Sequence, residues 1–183
     1  MLVKLNGIVV KKSVKLKTYK NNVTLYECYV SNKRKSGAED TIRVTYTGKE
    51  LNIGDLVSIE GELRTYRVDG INTLYVHTNH IKVLTELEDY INEVSGSGVL
   101  IKDIKYRTSG DATIADVVLK CDRAYNKYSY VYCSVWNRMT SLCKNCVVDD
   151  TIHILGRLQS KFKGDKLSTE ISVYNFRKDD ADC

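Results

Sequence analysis

Proline is absent from the 183 residues, tryptophan occurs once and phenylalanine twice. Without proline there is no polyproline linker and no proline-kinked element. No apolar run approaches the roughly 20 residues that a membrane-spanning helix needs. The opening MLVKLNGIVVKK lacks the uninterrupted apolar core and small-residue cleavage site of an export signal, so the chain is expected in the cytoplasm. The six cysteines, Cys28, Cys121, Cys133, Cys143, Cys146 and Cys183, are accordingly expected as reduced thiols rather than a disulfide frame. Phosphate-binding loops, nucleophile elbows and paired catalytic carboxylates are also missing, and Asp149 and Asp150 look like turn residues. The reading is therefore non-enzymatic and cofactor-free.

What is present is a globular composition: 43% apolar and 28% charged residues, with a net charge of +5. That excess suits an anionic partner without specifying one. Thirteen tyrosines accompany 28 lysines and arginines.

Along the first half, LVKLNGIVVKK and KLKTY, VTLYECYVS, TIRVTY, LVSIEGELRTY and TLYVHTNHIKVL read as strands. KNN reads as a turn, KRKSGAED as a loop and Asp69-Gly70 as a hairpin signal. Residues 85–98, TELEDYINEVSGSG, are acidic and glycine-ended, which suggests a linker with one or two helical turns. The order then recurs. GVLIKDIKY resembles NGIVVKKSV, TIADVVLKC resembles TLYECYVSN, and YVYCSVW resembles TIRVTY. DDTIHILGRLQSKF resembles GDLVSIEGELRTY, and KLSTEISVYNF closes the second copy. Only the second copy inserts NRMTSLCKNCV after Trp136, long enough for a short helix.

A tandem repeat of a five-strand unit of about 80 residues, with an optional helix after the third strand, is the order of an OB-fold. The expected fold is all-β: two Greek-key barrels over 1–84 and 98–178, a linker over 85–97 and a short acidic tail over 179–183. Gly61 and Gly156 fall at the same place in strand four, where a glycine marks a bulge or barrel corner.

The segment GDLVSIEGELRTYRVDG resembles the bacterial and phage single-stranded-DNA-binding protein family, including its primosomal replication protein B type. Gly54, Asp55, Val57, Glu60, Gly61, Leu63 and Arg64 fit that pattern. In the second copy Asp150, Ile152, Gly156, Arg157 and Leu158 fit, with Leu155 in place of Glu60. YVYCSVWNRM is similar to the family's third strand, an aromatic end followed by a basic helix start, here Arg138; NGIVV fits its opening strand. The resemblance covers most of both halves. It implies single-stranded DNA as ligand, a role in replication, recombination or repair, and a nucleoid-associated protein of cellular, phage or mobile-element origin. Members with one barrel commonly form tetramers, so a tandem chain reaches four barrels as a homodimer; a monomer is the other option. Replication or recombination proteins are the implied partners, usually recruited by an acidic tail tipped with Pro-Phe. This sequence reads RKDDADC there, so the resemblance does not carry that route over.

A general single-strand binder needs aromatic platforms with cations between them. Strand parity places Val131, Cys133 and Val135 inward, leaving Tyr130, Tyr132 and Trp136 outward together as stacking platforms or as a subunit interface. Tyr46 is in step with Ile42 and Val44 and reads as core. With Val57, Ile59 and Leu63 inward, Arg64, Tyr66 and Arg67 form a basic-aromatic hairpin end, matched by Lys161, Phe162 and Lys163. Lys33, Arg34 and Arg123 lie in the loops between strands two and three. Each set could equally be a solvated tip or loop. Cys143-x-x-Cys146 has no second pair to complete a zinc site, and His77 and His80 face opposite ways; two cysteines on a short helix, one buried, is the expected account. A protein-interaction module of a replisome or primosome, and RNA binding, are the alternative functions.

Overall fold

The computed structural model describes residues 1–68, 71–164 and 166–179, with only the backbone of Val68, Ile71 and Lys163. The expected Asp69-Gly70 turn and all of the tail beyond Asp179 lie outside the described residues.

The first half contains β1 (Leu2–Thr18), β2 (Thr24–Lys33), β3 (Glu39–Thr47), β4 (Leu56–Val68), β5 (Ile71–Thr78) and β6 (Ile81–Leu84). β1 pairs antiparallel with both β2 and β4. β2 pairs antiparallel with β3, β4 with β5, and β3 runs parallel to β5, which closes a five-stranded barrel. Alternation builds the core: Cys28 and Val30, Ile42 and Val44, Leu74 and Val76 are fully buried.

Two elements differ from the sequence reading. The two opening segments are one strand, β1, which absorbs its bend in register shifts near Val9, Lys11 and Lys15. TLYVHTNHIKVL is instead two strands, because the chain leaves β5 after Thr78 and β6 crosses to pair with β4.

The expected helical turns over 85–98 are also absent. No regular element covers 85–91, and β7 begins at Asn92. The Ser-Gly-Ser-Gly run looks like linker composition, but its backbone is laddered to the later strand 151–163 through Ile152↔Gly98 and Ile154↔Gly96. The 89–91 segment is pinned by two buried amides. Asn6 Nδ2 donates to Asp89 O at 2.7 Å and Asn6 Oδ1 accepts from Ile91 N at 2.6 Å. Asn32 Nδ2 donates to the carbonyls of Asn6 and Ile91 at 2.8 and 2.9 Å.

The second half contains β7 (Asn92–Leu100), β8 (Lys105–Ser109), β9 (Ala112–Arg123), β10 (Lys127–Trp136), a 3₁₀ helix (Asn137–Asn145), β11 (Thr151–Lys163) and β12 (Lys166–Lys178). Strand one is split here: β7 pairs with β11 and β9, and β8 pairs with β9. β10 runs antiparallel to β9 and parallel to β12, repeating the first half's closure. The insertion after Trp136 is helical as expected, with Cys143 buried in it and Cys146 at its end. All five described cysteines are free thiols. Both halves are OB-folds.

In space the chain forms two compact units. The first unit comprises Leu2–Glu93 together with Leu158–Thr169; the second comprises Met1, Val94–Arg157 and the chain from Glu170. The outer part of the β11–β12 hairpin thus belongs to the first unit. There Ser160 N donates to Asp40 at 2.8 Å, Ser160 Oγ accepts from Thr41 N at 2.9 Å, and Thr169 N donates to Thr73 Oγ1 at 3.0 Å.

Candidate nucleic-acid interface

OB-folds bind oligonucleotides over strands two and three and the adjoining loops. In the first unit those strands are β2 and β3. Cys28 and Val30 point inward, so Glu27 and Tyr29 point outward; Ile42 and Val44 likewise turn Arg43 outward. Leu74 and Val76 do the same for Tyr75, and Leu63 for Arg64.

Register assembles these side chains into one row. Lys11 is opposite Tyr29, and Tyr29 is opposite Arg43. The parallel pair Val44↔Val76 sets Tyr75 beside Arg43, and Tyr75 is opposite Arg64. Lys11, Tyr29, Arg43, Tyr75 and Arg64 therefore cross all five strands, alternating cation and ring. Lys11 Nζ lies 5.1 Å from the Tyr29 ring centre. The Arg43 guanidinium lies 4.0 Å from the ring centre of Tyr66 and 5.4 Å from that of Tyr75. Tyr66 meets Tyr75 edge-on at 5.5 Å. Such cation–ring contacts are worth about 0.5–1 kcal/mol when exposed and more when desolvated.

Carboxylates hold the arginines of this row. Arg43 donates to Glu27 Oε2 through Nε at 2.6 Å and also pairs with it through Nη2. Arg64 Nε donates to Glu62 Oε2 at 3.0 Å. Burial works to lower the Arg43 pKa, but the hydrogen bond and charge of Glu27, helped by Tyr66 and Tyr29, leave it raised. Burial and then the Glu27 charge raise the Tyr29 pKa, so its hydroxyl stays protonated.

Of the residues singled out in sequence, Arg64 and Tyr66 lie in this cluster and Arg67 is exposed near it in chain order. Lys33 is exposed at the end of β2. Arg34 is engaged: Nε and Nη2 reach the two carboxylate oxygens of buried Asp40 at 2.6 and 2.5 Å. Lys161 is partly exposed and Phe162 is 64% exposed, both in the hairpin part that belongs to the first unit, while the Lys163 side chain is outside the description. Tyr46 is core, 1% exposed and stacked on Tyr26.

In the second unit Val131, Cys133 and Val135 are inward, and Tyr128, Tyr130, Tyr132 and Trp136 share the other side of β10. Tyr128 and Tyr130 meet edge-on at 5.3 Å, with Lys120 Nζ 4.9 Å from the Tyr128 ring centre. The hydrogen bond with Tyr128, and then burial, raise the Tyr130 pKa. Trp136 is only partly exposed, and its Nε1 is buried without a partner among the described residues. Arg123 ends β9, Arg138 is exposed at the start of the 3₁₀ helix, and Arg157 is partly buried on β11.

The parallel pair Cys133↔Ile171 matches Val44↔Val76, which aligns the two faces. Tyr132 then stands at the place of Arg43, Val118 at that of Tyr29 and Glu170 at that of Tyr75. Asp116, paired with Arg107 at 2.7 Å, takes the place of Glu27. At these three matched positions the second unit thus has one ring, one acid and no cation. A group of rings with a cation, Tyr128, Tyr130 and Lys120, lies instead toward the β9–β10 hairpin, where Tyr125 is 93% exposed.

Four members of the first row, Lys11, Tyr29, Arg43 and Tyr75, are not among the residues singled out in sequence. Parity carries the signal for three of them, since ECYVS, TIRVT and TLYVH each set one large polar or aromatic residue between two inward apolar ones. What parity lacks is the register that lines them up.

These are two OB barrels, one bearing a cation–ring row over strands two and three. No protein-family model matches the sequence, and no curated protein matches it. Among solved structures, the single-stranded DNA binding protein from Thermus aquaticus is similar over the whole chain. Its wild-type form has a TM-score of 0.77 at 18% identity, covering 100% of this chain and 94% of that one. A deletion mutant of the same protein gives 0.79 at 18% identity, covering 100% and 95%. The N-terminal domain of PriB from Thermoanaerobacter tencongensis overlaps 46% of this chain at 26% identity and a TM-score of 0.40.

Proposed function

We propose that this chain binds single-stranded DNA with little sequence preference, as a non-enzymatic protein of replication or recombination. The row Lys11–Tyr29–Arg43–Tyr75–Arg64 carries the reading. Every base has a flat face, so rings spaced by cations bind a strand without reading its sequence. Tyr66 and Arg67 extend the row toward the strand four–five loop, and Lys33 toward the strand two–three loop. The full-length likeness to a Thermus protein named for binding single-stranded DNA, and the motif GDLVSIEGELRTYRVDG, support the same ligand.

In this mechanism bases stack on the tyrosines while lysines at the margin neutralise phosphates. Counterion release makes the affinity fall with salt, with a log–log slope of about 0.7 per phosphate contacted. The test is titration of fluorescent oligo-dT at two salt concentrations, with Trp136 emission followed in parallel. Expected are binding that weakens with salt and a loss of about 1–3 kcal/mol on Tyr75→Ala. No binding at low salt would favour the protein-interaction alternative, and tighter binding of oligo-rU than oligo-dT would favour RNA.

A further inference from the structure

Both arginines of the first row are paired with an acid from the neighbouring row, Arg43 with Glu27 and Arg64 with Glu62. Lys11 makes no ion pair among the described residues and lies over a ring. This pattern separates two jobs that cations usually share at a nucleic-acid surface. A phosphate approaching Arg43 meets a guanidinium whose Nε–H and Nη2–H already point at a carboxylate, and it meets the charge of that carboxylate too. Like charges at such range oppose each other. The flat face of the guanidinium is a different resource. It is delocalised and weakly hydrated, and it stacks on rings and bases in a way that a lysine ammonium does not.

The Glu27 bond also fixes the orientation of that plane. Arg43 is held at one edge by Glu27 and lies 4.0 Å from the centre of Tyr66 and 5.4 Å from that of Tyr75. One carboxylate therefore sets the guanidinium of the row.

We propose that Arg43 serves the interface as a third stacking plane, between Tyr29 and Tyr75, rather than as a phosphate contact, and that Glu27 is the positioning residue that holds it flat. The proposal rests on reading this face as the single-strand site. Arg43 contacts the base; Glu27 acts through Arg43.

The test uses the full chain and two oligonucleotides of equal length, oligo-dT and an abasic strand with the same phosphates. Arg43→Lys and Arg43→Ala are each expected to weaken oligo-dT binding roughly tenfold, within the range for losing one base stack. Their salt slopes should match wild type, and both should bind the abasic strand as wild type does. Glu27→Gln should also weaken oligo-dT binding, although it removes a negative charge.

The role is overturned if Arg43→Lys keeps wild-type affinity while Arg43→Ala lowers the slope by about 0.7 on both strands, the signature of a lost phosphate contact. It is also overturned if Glu27→Gln binds more tightly with a steeper slope, which would make Glu27 a competitor of DNA. A loss by Arg43→Lys of equal size on both strands, with an unchanged slope, points to general disruption and equally rejects stacking. Tyr75→Ala separates this from the reading beneath it. If wild type binds oligo-dT and Tyr75→Ala has no effect, the face itself is wrong.

Discussion

At Gly61 and Gly156 the absent side chain is what lets two strands meet. A Cβ at Gly61 would stand 2.7 Å from the His77 carbonyl oxygen and 2.8 Å from Val76 Cγ1. At Gly156 it would stand 2.6 Å from Ile171 Cγ2 and 2.7 Å from the Ser172 carbonyl oxygen. In the first half this is the corner where β4 passes from β1 to β5, since Glu62 is opposite both Leu2 and His77. Gly61→Ala and Gly156→Ala are each expected to cost about 1–3 kcal/mol, the range for overpacking, as read from urea unfolding. Buried acids set a second expectation. Burial pushes the Cys28 thiol and the Tyr46 hydroxyl to about 12 and the Cys121 thiol to about 11, against ordinary values of 9.0 and 10.0. Folded pKa values above unfolded ones mean that their stabilisation is complete below about pH 9 and lost as pH rises toward 12. Unfolding free energy measured along an alkaline series should fall over that window, and Cys28→Ser should shrink the alkaline part of the fall.

Among the elements, the paired strands two and three differ most between the halves. β2 and β3 bring Tyr29 and Arg43 together, whereas β9 and β10 bring Val118 and Tyr132, with Glu170 next on β12. Tyr132→Ala is therefore expected to weaken oligo-dT binding by a smaller factor than Tyr75→Ala, in titrations at one salt concentration. Sequence parity read the inward set of β10 correctly from Val131, Cys133 and Val135, because apolar residues recur there at every second position, although Ser134 between them is buried too. It could not weigh the two halves against each other. Whether an outward ring lies beside a cation or an acid depends on a strand far along the chain: Tyr75 reaches Arg43 only through a parallel pairing. The engagement of Arg34 was equally hidden, since its partner Asp40 lies across a hairpin and is buried there. The first part of β7, residues 92–97, reads as linker because serine and glycine pair through backbone that composition does not show, while its end falls in the expected strand GVLIKDIKY.

For the molecule as a whole, the doubled barrel was legible because the strand order and a mid-strand glycine repeat together. The spatial partition was not, for the outer hairpin of β11 and β12 takes its place in the first unit through Ser160 and Thr169. That has a consequence for any attempt to dissect the protein. A polypeptide ending at Glu93 would carry a complete barrel by strand count, yet it would leave Asp40 without the Ser160 amide and Thr73 without the Thr169 amide. Such a fragment should melt at a lower temperature in calorimetry than the same barrel does in the intact chain. The repeat in the sequence thus sets one boundary and the packing another, and the first copy borrows its final layer from residues 158–169 of the second.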